Sequence, residues 1–276
     1  MKAIAARLPT WARVPLKRSR DFVRAFPYRG TDRFCPVCGR SSSRFRSFGV
    51  IPREDAMCIH CGSLERHRLL WLYLSRRTDL FDGRPKTILH VAPERCLEPA
   101  LRQRLGEGYV TADLLNPNAM VRMDITDIEY PDQSFDVIYC SHVLEHVQDD
   151  GKAMREFCRV LKADGWAILL VPITSEVTIE DPAITEPEDR ERVFGQWDHV
   201  RRYGPDYADR LRDAGFSVEV LTVDDVAEAD EVSPMALTPA AGEIYVCTVQ
   251  DVRSELDTAS SLRASEGCQA VARSAE

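Results

Sequence analysis

Between residues 87 and 147 the chain alternates short apolar runs with polar clusters. It reads T-I-L-H-V-A-P-E, Y-V-T-A-D-L, R-M-D-I-T-D-I and then S-F-D-V-I-Y-C-S-H-V-L-E-H-V. Runs of four to six Val, Ile, Leu, Tyr and Phe closed by Asp or Pro clusters mark buried parallel strands. The pattern goes on with a helix over 154–161 and the apolar run W-A-I-L-L-V. A helix over 206–214 begins after Gly204-Pro205 and stops at Gly215, followed by a strand over 216–221. An acidic hairpin over 224–231 then leads to a last strand over 243–249. This order predicts an α/β fold whose ligands lie beyond the carboxyl ends of the strands, where the polar clusters fall. At two of those ends stand acids. Asp113 suits a ribose, whose two hydroxyls both donate, and Asp124 is placed to read an adenine amino group.

Composition adds little and charge adds more. With 276 residues, 44% hydrophobic and 29% charged, the chain can bury one large core plus a small module. No apolar run reaches the length of a membrane span and no signal-type apolar region is present, so a cytoplasmic protein is expected. The net charge of −8 is unevenly spread. Residues 1–77 hold 17 Lys and Arg against 5 Asp and Glu, a net of +12, which leaves −20 for the rest. A basic head on an acidic body points to an anionic contact, RNA or a membrane surface, or else to simple solubilisation. Residues 1–30 read as a basic flexible segment, and the chain from 251 to 276, without apolar period, as a disordered tail.

Inside the basic part lie Cys35-Pro-Val-Cys38-Gly39 and Cys58-Ile-His-Cys61-Gly62, separated by nineteen residues. Two C-x-x-C-G turns at this spacing predict a closed four-thiolate zinc site of structural type, with His60 a neighbour and not a ligand. The second turn runs into S-L-E-R-H-R-L-L-W-L-Y-L, which predicts a helix capped by Ser63 with an apolar stripe of Leu64, Leu70, Trp71 and Leu74. That helix docks the zinc module, 31–78, on a domain spanning 84–250. Arg66, His67 and Arg68 fall beside the stripe, either on a solvated face or against an anionic substrate. The remaining cysteines, Cys96, Cys140, Cys158, Cys247 and Cys268, are scattered.

Residues from about Ile88 to Val249 resemble class I S-adenosylmethionine-dependent methyltransferases of the type 11-like kind. The carriers are S-F-D-V-I-Y-C-S-H-V-L-E-H-V at 134–147 and L-K-A-D-G-W-A-I-L-L-V-P at 161–172. The resemblance implies a Rossmann-like, seven-stranded sheet. It also implies that Asp113 with Leu114 holds the ribose of S-adenosyl-L-methionine and Asp124 with Ile125 its adenine, while Cys140, Ser141 and His142 face the methyl-transfer centre. The family's first loop is rich in glycine, but this chain has His90, Val91, Ala92, Pro93 and Glu94. The loop must therefore take another shape, with Glu94 available to the cofactor's amino group and His90 and Ala92 beside it. A group of bacterial methyltransferases with C-G-S-L-E-R-H-R and H-V-A-P-E is more similar still, and it shares this loop. Ribosomal RNA guanine methyltransferases with a Cys-rich head are a weaker match.

The insertion 174–203 follows a strand end, so it is expected over the pocket as a lid. For catalysis the candidates are His142 first, then His199 from the insertion, with His146 and Glu145 as pocket-shaping residues. Small-RNA 2′-O-methyltransferases and some catechol-type O-methyltransferases hold a divalent cation with a comparable set. By that resemblance His142, Glu145, His146 and His199 would hold one here, the alternative being ordinary pocket walls. Three functions follow: methyl transfer to a small-molecule or glycan or lipid-linked acceptor, methyl transfer to RNA gripped by the basic zinc ribbon, or a non-catalytic zinc-ribbon adaptor with a degenerate fold.

Overall fold

A computed structural model describes residues 26–49 and 51–250. The expectations for the segment before residue 26, for the tail after residue 250 and for Cys268 lie outside the described residues. Four short strands come first: β1 (Arg33–Cys35), β2 (Arg40–Ser42), β3 (Arg46–Phe48) and β4 (Arg53–Met57). They pair as two antiparallel hairpins, β1 with β2 and β3 with β4.

The main sheet is built from β5 (Ile88–Val91), β6 (Tyr109–Asp113), β7 (Val121–Arg122), β8 (Phe135–Ser141) and β9 (Leu161–Leu170). A small two-stranded sheet, β10 (Ile179–Glu180) with β11 (Arg201–Arg202), lies within the insertion. The strands β12 (Phe216–Leu221) and β13 (Ile244–Val249) complete the main sheet, in the order β7-β6-β5-β8-β9-β13-β12. The first five strands are parallel, while β13 runs antiparallel to both β9 and β12. This is a seven-stranded mixed sheet of the Rossmann-like kind expected. All four residues of β5 are buried, as its uninterrupted I-L-H-V requires of a strand covered on both faces.

Several local readings need correction. The 224–231 stretch is no hairpin but two short helices, Val223–Val226 and Ala229–Val232. Its acids sit in the first turns of both, where the positive end of a helix favours them. The helix after the second cysteine turn spans Glu65–Arg76 with Leu64, not Ser63, at its cap. The His67 ring accepts from the Leu64 amide at 2.9 Å, and that closes the cap without a hydroxyl. Its apolar surface is wider than one stripe, because Leu69, Leu70, Trp71, Leu72, Tyr73 and Leu74 are all buried. The helix is enclosed between the cysteine module and the main domain.

Candidate functional site

The four cysteines converge as their spacing requires. Cys35 Sγ lies 3.6 Å from Cys61 Sγ and Cys38 Sγ 3.8 Å from Cys58 Sγ. Four sulfurs each about 2.3 Å from a central zinc in a tetrahedron stand about 3.8 Å apart, so the donor set fits that ion. Gly39 and Gly62 take left-handed φ of 67° and 82°. Each donates its amide back to the first cysteine's carbonyl, at 2.8 and 2.9 Å. Ser63, expected as a helix cap, instead places its Oγ 3.1 Å from Cys35 Sγ and 3.3 Å from Cys61 Sγ. His60 Nε2 is 3.3 Å from the Ser41 carbonyl and outside the sulfur cluster. Hydrogen bonds from Cys38, Cys58 and Cys61 hold the Cys35 thiol well below its ordinary range, while the same contacts push Cys38 and Cys58 up. Thiols crowded in this way give up their protons when a divalent cation binds.

The E-R-H-R run that follows is mostly interior, which its charge does not announce. Arg68 is fully buried and donates to the carbonyls of Met235, Ala56, Ser63 and Ala236 at 2.6 to 3.2 Å. Its guanidinium also lies 4.5 Å from the Phe45 ring centroid. Glu65 is buried against Arg53, at 3.0 and 3.2 Å. Neither side chain was marked by sequence as a structural anchor. The cue available was their one-turn distance from a cysteine cluster whose carbonyls need donors.

At the end of β5 the glycine-free loop keeps a left-handed turn without glycine. Ala92 has φ 48° and donates its amide to the Ala112 carbonyl at 2.8 Å. A left-handed non-glycine costs about 1 kcal/mol or more, so the surrounding contacts must over-determine it. They do so through Glu94. Its Oε2 is 2.8 Å from His90 Nε2, its Oε1 accepts from the Tyr139 hydroxyl at 2.7 Å, and His67 Nε2 is 3.6 Å away. Burial alone would push the Glu94 carboxyl up, but the His67 and His90 imidazoles beside it hold it well below the usual carboxylate range. His90 is fully buried, with Nδ1 2.6 Å from the Tyr109 hydroxyl. Both ring nitrogens of His90 and both oxygens of Glu94 are thus engaged inside the protein.

Asp113 and Asp124 are arranged differently, each with one oxygen fixed and one open. Asp113 Oδ1 accepts from the amides of Leu115 and Asn116, both at 2.8 Å. Asp124 Oδ1 accepts from the amide and hydroxyl of Thr126, both at 2.8 Å. The second oxygen of each has no protein partner among the described residues. Leu114 is exposed beside Asp113, while Ile125 is buried beside Asp124. These residues fit an adenosine: oriented carboxylates with free acceptors stand at successive strand ends. Cys140 and Ser141 are buried at the tip of β8. His142 then turns left-handed, with φ 56° and Nδ1 3.1 Å from Ser141 Oγ.

His142, Arg66 and Pro172 line a cavity of about 730 Å³ on the far side of this point, together with Thr174, Thr238 and Gly242. Burial, and after it the charge of Arg66, push the His142 imidazole down to about 3. His142 is therefore neutral across the physiological range. Glu145, His146 and His199 form a separate cluster whose candidate donor atoms all lie within 4.8 Å of one another. Of the four residues that resemblance put together, the structure gathers these three without His142. Glu145 is buried, its Oε2 has no partner, and burial pushes its carboxyl up to about 7. His146 Nδ1 faces Asp198 Oδ2 at 3.3 Å and His199 Nδ1 faces the Phe194 carbonyl at 3.3 Å. Such a set can share a proton, or hold a divalent ion with positions left open.

From the insertion 174–203, Thr174 reaches the cavity lining. Beyond it the segment is fastened to the turn after β8. Val200 donates to the Glu145 carbonyl at 2.9 Å. Buried Arg201 donates to the carbonyls of Leu144, Val147 and Gln148. Tyr203 donates to Asp150 at 2.7 Å. Sequence reasoning assigns neither Arg201 nor Tyr203 a role, since both lie within the insertion without a motif of their own.

Residues 96–169 match a family model described as a methyltransferase domain. An uncharacterised methyltransferase of Bacillus subtilis, YcgJ, is 41% identical over 59 residues, covering 21% of this chain and 22% of that protein. Ajmaline N-methyltransferase of Rauvolfia serpentina is 31% identical over 103 residues, 37% of this chain and 33% of that protein. The chain thus spans 22% and 33% of the lengths of these two relatives. Among solved structures, a Burkholderia thailandensis 1,6-didemethyltoxoflavin-N1-methyltransferase with bound S-adenosylhomocysteine aligns with TM-score 0.46 at 15% identity, covering 68% of this chain and 79% of that one. A Mesorhizobium loti S-adenosylmethionine-dependent methyltransferase aligns with TM-score 0.45 at 14% identity, covering 65% and 97%. Residues 96–169 thus match a methyltransferase domain, and they lie in a Rossmann-like sheet behind a four-cysteine cluster.

Proposed function

We propose that this protein transfers a methyl group from S-adenosylmethionine to a small-molecule acceptor bound in the cavity beside His142. The observation that carries the reading is the division of the strand ends. Open carboxylate oxygens of Asp113 and Asp124 stand on the β6–β7 side, and the cavity stands on the β9–β13 side, with His142 between them. S-adenosylmethionine, when bound, supplies an electrophilic methyl carbon. The chain's own residues have to place an acceptor atom in line with that carbon and give its proton somewhere to go.

His142, kept neutral, orients an acceptor N–H or O–H without competing for its proton. Glu145, with a carboxyl near 7 and an unpartnered oxygen, is suited to take a proton at neutral pH, but it does not line the cavity, so the proton would reach it by way of His142 or a bridging water. His146 and Asp198 beside it extend a path toward solvent.

The basic head supports an RNA acceptor less well than its net charge suggests. Arg33 pairs with Asp55, Arg53 with Glu65 and Arg76 with Glu231, and Arg68 is buried. These four of the head's seventeen basic side chains are engaged within the fold. One matched relative is named for an N-methyltransferase acting on ajmaline, which also favours a small acceptor. The zinc site is proposed as structural: four thiolates leave no open position.

The test is incubation with isotope-labelled S-adenosylmethionine against pooled small amines, phenols and acids and, separately, against total RNA. Label in the small-molecule pool that falls sharply in Glu145→Gln is expected. Label confined to RNA contradicts the acceptor class.

A further inference from the structure

The helix Glu65–Arg76 opens with four polar side chains, three of which hold the molecule together. Glu65 takes Arg53, His67 closes the cap and reaches Glu94, and Arg68 donates to four carbonyls. Arg66 is left over. Among the described residues no hydrogen bond or ion pair engages it, and its Nε is shielded from water without a partner. Arg66 is half-buried, and this one nitrogen of its guanidinium forfeits hydration unless an acceptor in the cavity supplies it.

Arg66 lines the cavity with His142. The other charges of that lining are differently placed. Arg53 is committed to Glu65, Glu243 accepts from the Tyr245 hydroxyl, and Asp224 is exposed at the edge. Much of the remaining wall is apolar, including Val171, Pro172, Leu237 and Ala241. The charge of Arg66 is felt at His142 and at Glu145, so it stands within reach of the reacting centre. Its place in the first turn of a twelve-residue helix adds the positive helix end to the same spot.

We propose that the acceptor is a small organic acid: an apolar body fills the cavity and a carboxylate or phosphate oxyanion pairs with Arg66. The inference rests on the methyltransferase reading for its assignment of this cavity to the acceptor. It gives the cysteine module a part in the reaction. By fixing the start of this helix, the module holds the cation that selects the substrate.

The probe is octanoate, with its uncharged methyl ester as control, titrated into zinc-loaded protein saturated with S-adenosylhomocysteine. Octanoate should bind about tenfold more tightly than the ester, the value of one charge-assisted pair. Arg66→Gln should erase that preference and Arg66→Lys should keep most of it, with zinc content and melting temperature unchanged in both. Equal affinity for acid and ester, or a preference that survives in Arg66→Gln, overturns the proposal. A second arm compares S-adenosylhomocysteine with methylthioadenosine, which lacks the amino-acid carboxylate. If Arg66→Gln weakens only the former, the arginine serves the cofactor and the acceptor assignment is wrong. Wild-type protein that prefers octanoate but binds neither nucleoside keeps the anion site and sinks the methyltransferase reading instead.

Discussion

The cysteine module and the strand-end pocket represent two ways in which a sequence carries a site. In the module, spacing is almost the whole of the information. Two C-x-x-C-G turns bring four sulfurs to 3.6 and 3.8 Å pairings, and nothing distant is needed to name the ligands. In the pocket, residues far apart in sequence decide each other's roles. Glu94 is expected from sequence at the cofactor's amino group, and the His67, His90 and Tyr139 side chains that surround it come from elsewhere in the fold. Local geometry can be read from a string. The saturation of a hydrogen-bonding group cannot, because its partners arrive from other elements.

That contrast is broken most strongly by removing the metal. Four thiols left without an ion should unfold the hairpins, and Arg68 and the docking helix should lose their frame. Chelation, or Cys58→Ser, is therefore expected to cost several kcal/mol and to lower the melting temperature by well over 10 °C, read by calorimetry. If chelation lowers the melting temperature by only a degree or two, the cluster is ornamental.

Next in size is Arg68→Met. The substitution leaves four carbonyls short of a donor, for a loss of about 3 kcal/mol in denaturant titrations. A change below about 0.5 kcal/mol would mean that water replaces the guanidinium easily.

Glu145 supplies a smaller and pH-dependent effect. Its carboxyl is raised in the fold to about 7 from an ordinary 4.5. The folded state therefore favours the protonated form, and stability falls as pH rises from 4.5 through 7. With the cysteine site loaded with zinc and no other divalent ion present, Glu145→Gln should gain about 2 kcal/mol at pH 8 and nothing near pH 4. A gain that is equal at both pH values would point to packing and not to charge.

The smallest effect concerns the glycine-free loop. Ala92→Gly relieves the left-handed strain of about 1 kcal/mol, and the more flexible unfolded chain offsets much of it. A net change within about 0.5 kcal/mol is expected. A large loss would show that the alanine methyl group is itself a packing contact.

The sheet was legible because its signal is local: buried runs such as 88–91 and 135–141 are apolar throughout or nearly so. The positions of Asp113 at the end of β6 and of Asp124 just past β7 were legible for the same reason, as polar closures of apolar runs. Four features were not. The positive φ of Ala92 could not be read, because alanine carries no sign of a left-handed turn. Arg68 reads as a surface charge unless the carbonyls of 235 and 236 are known to lie against it. The two short helices of 223–232 read as a hairpin, because an acidic run of that length has too little apolar period to show a helix. The insertion's attachment through Arg201 rests on carbonyls that have no sequence signature at all.

The claim on which the rest depends is that the open oxygen of Asp113 holds the ribose of an adenosyl cofactor. Calorimetric titration of S-adenosylhomocysteine into zinc-loaded wild-type protein and Asp113→Ala measures it directly. Micromolar binding by the wild type, weakened at least tenfold by the substitution, is the predicted result, as a hydrogen bond to a charged group is worth about 1.5–3 kcal/mol. Absence of binding by the wild type, or equal binding by both proteins, would contradict the account at its centre.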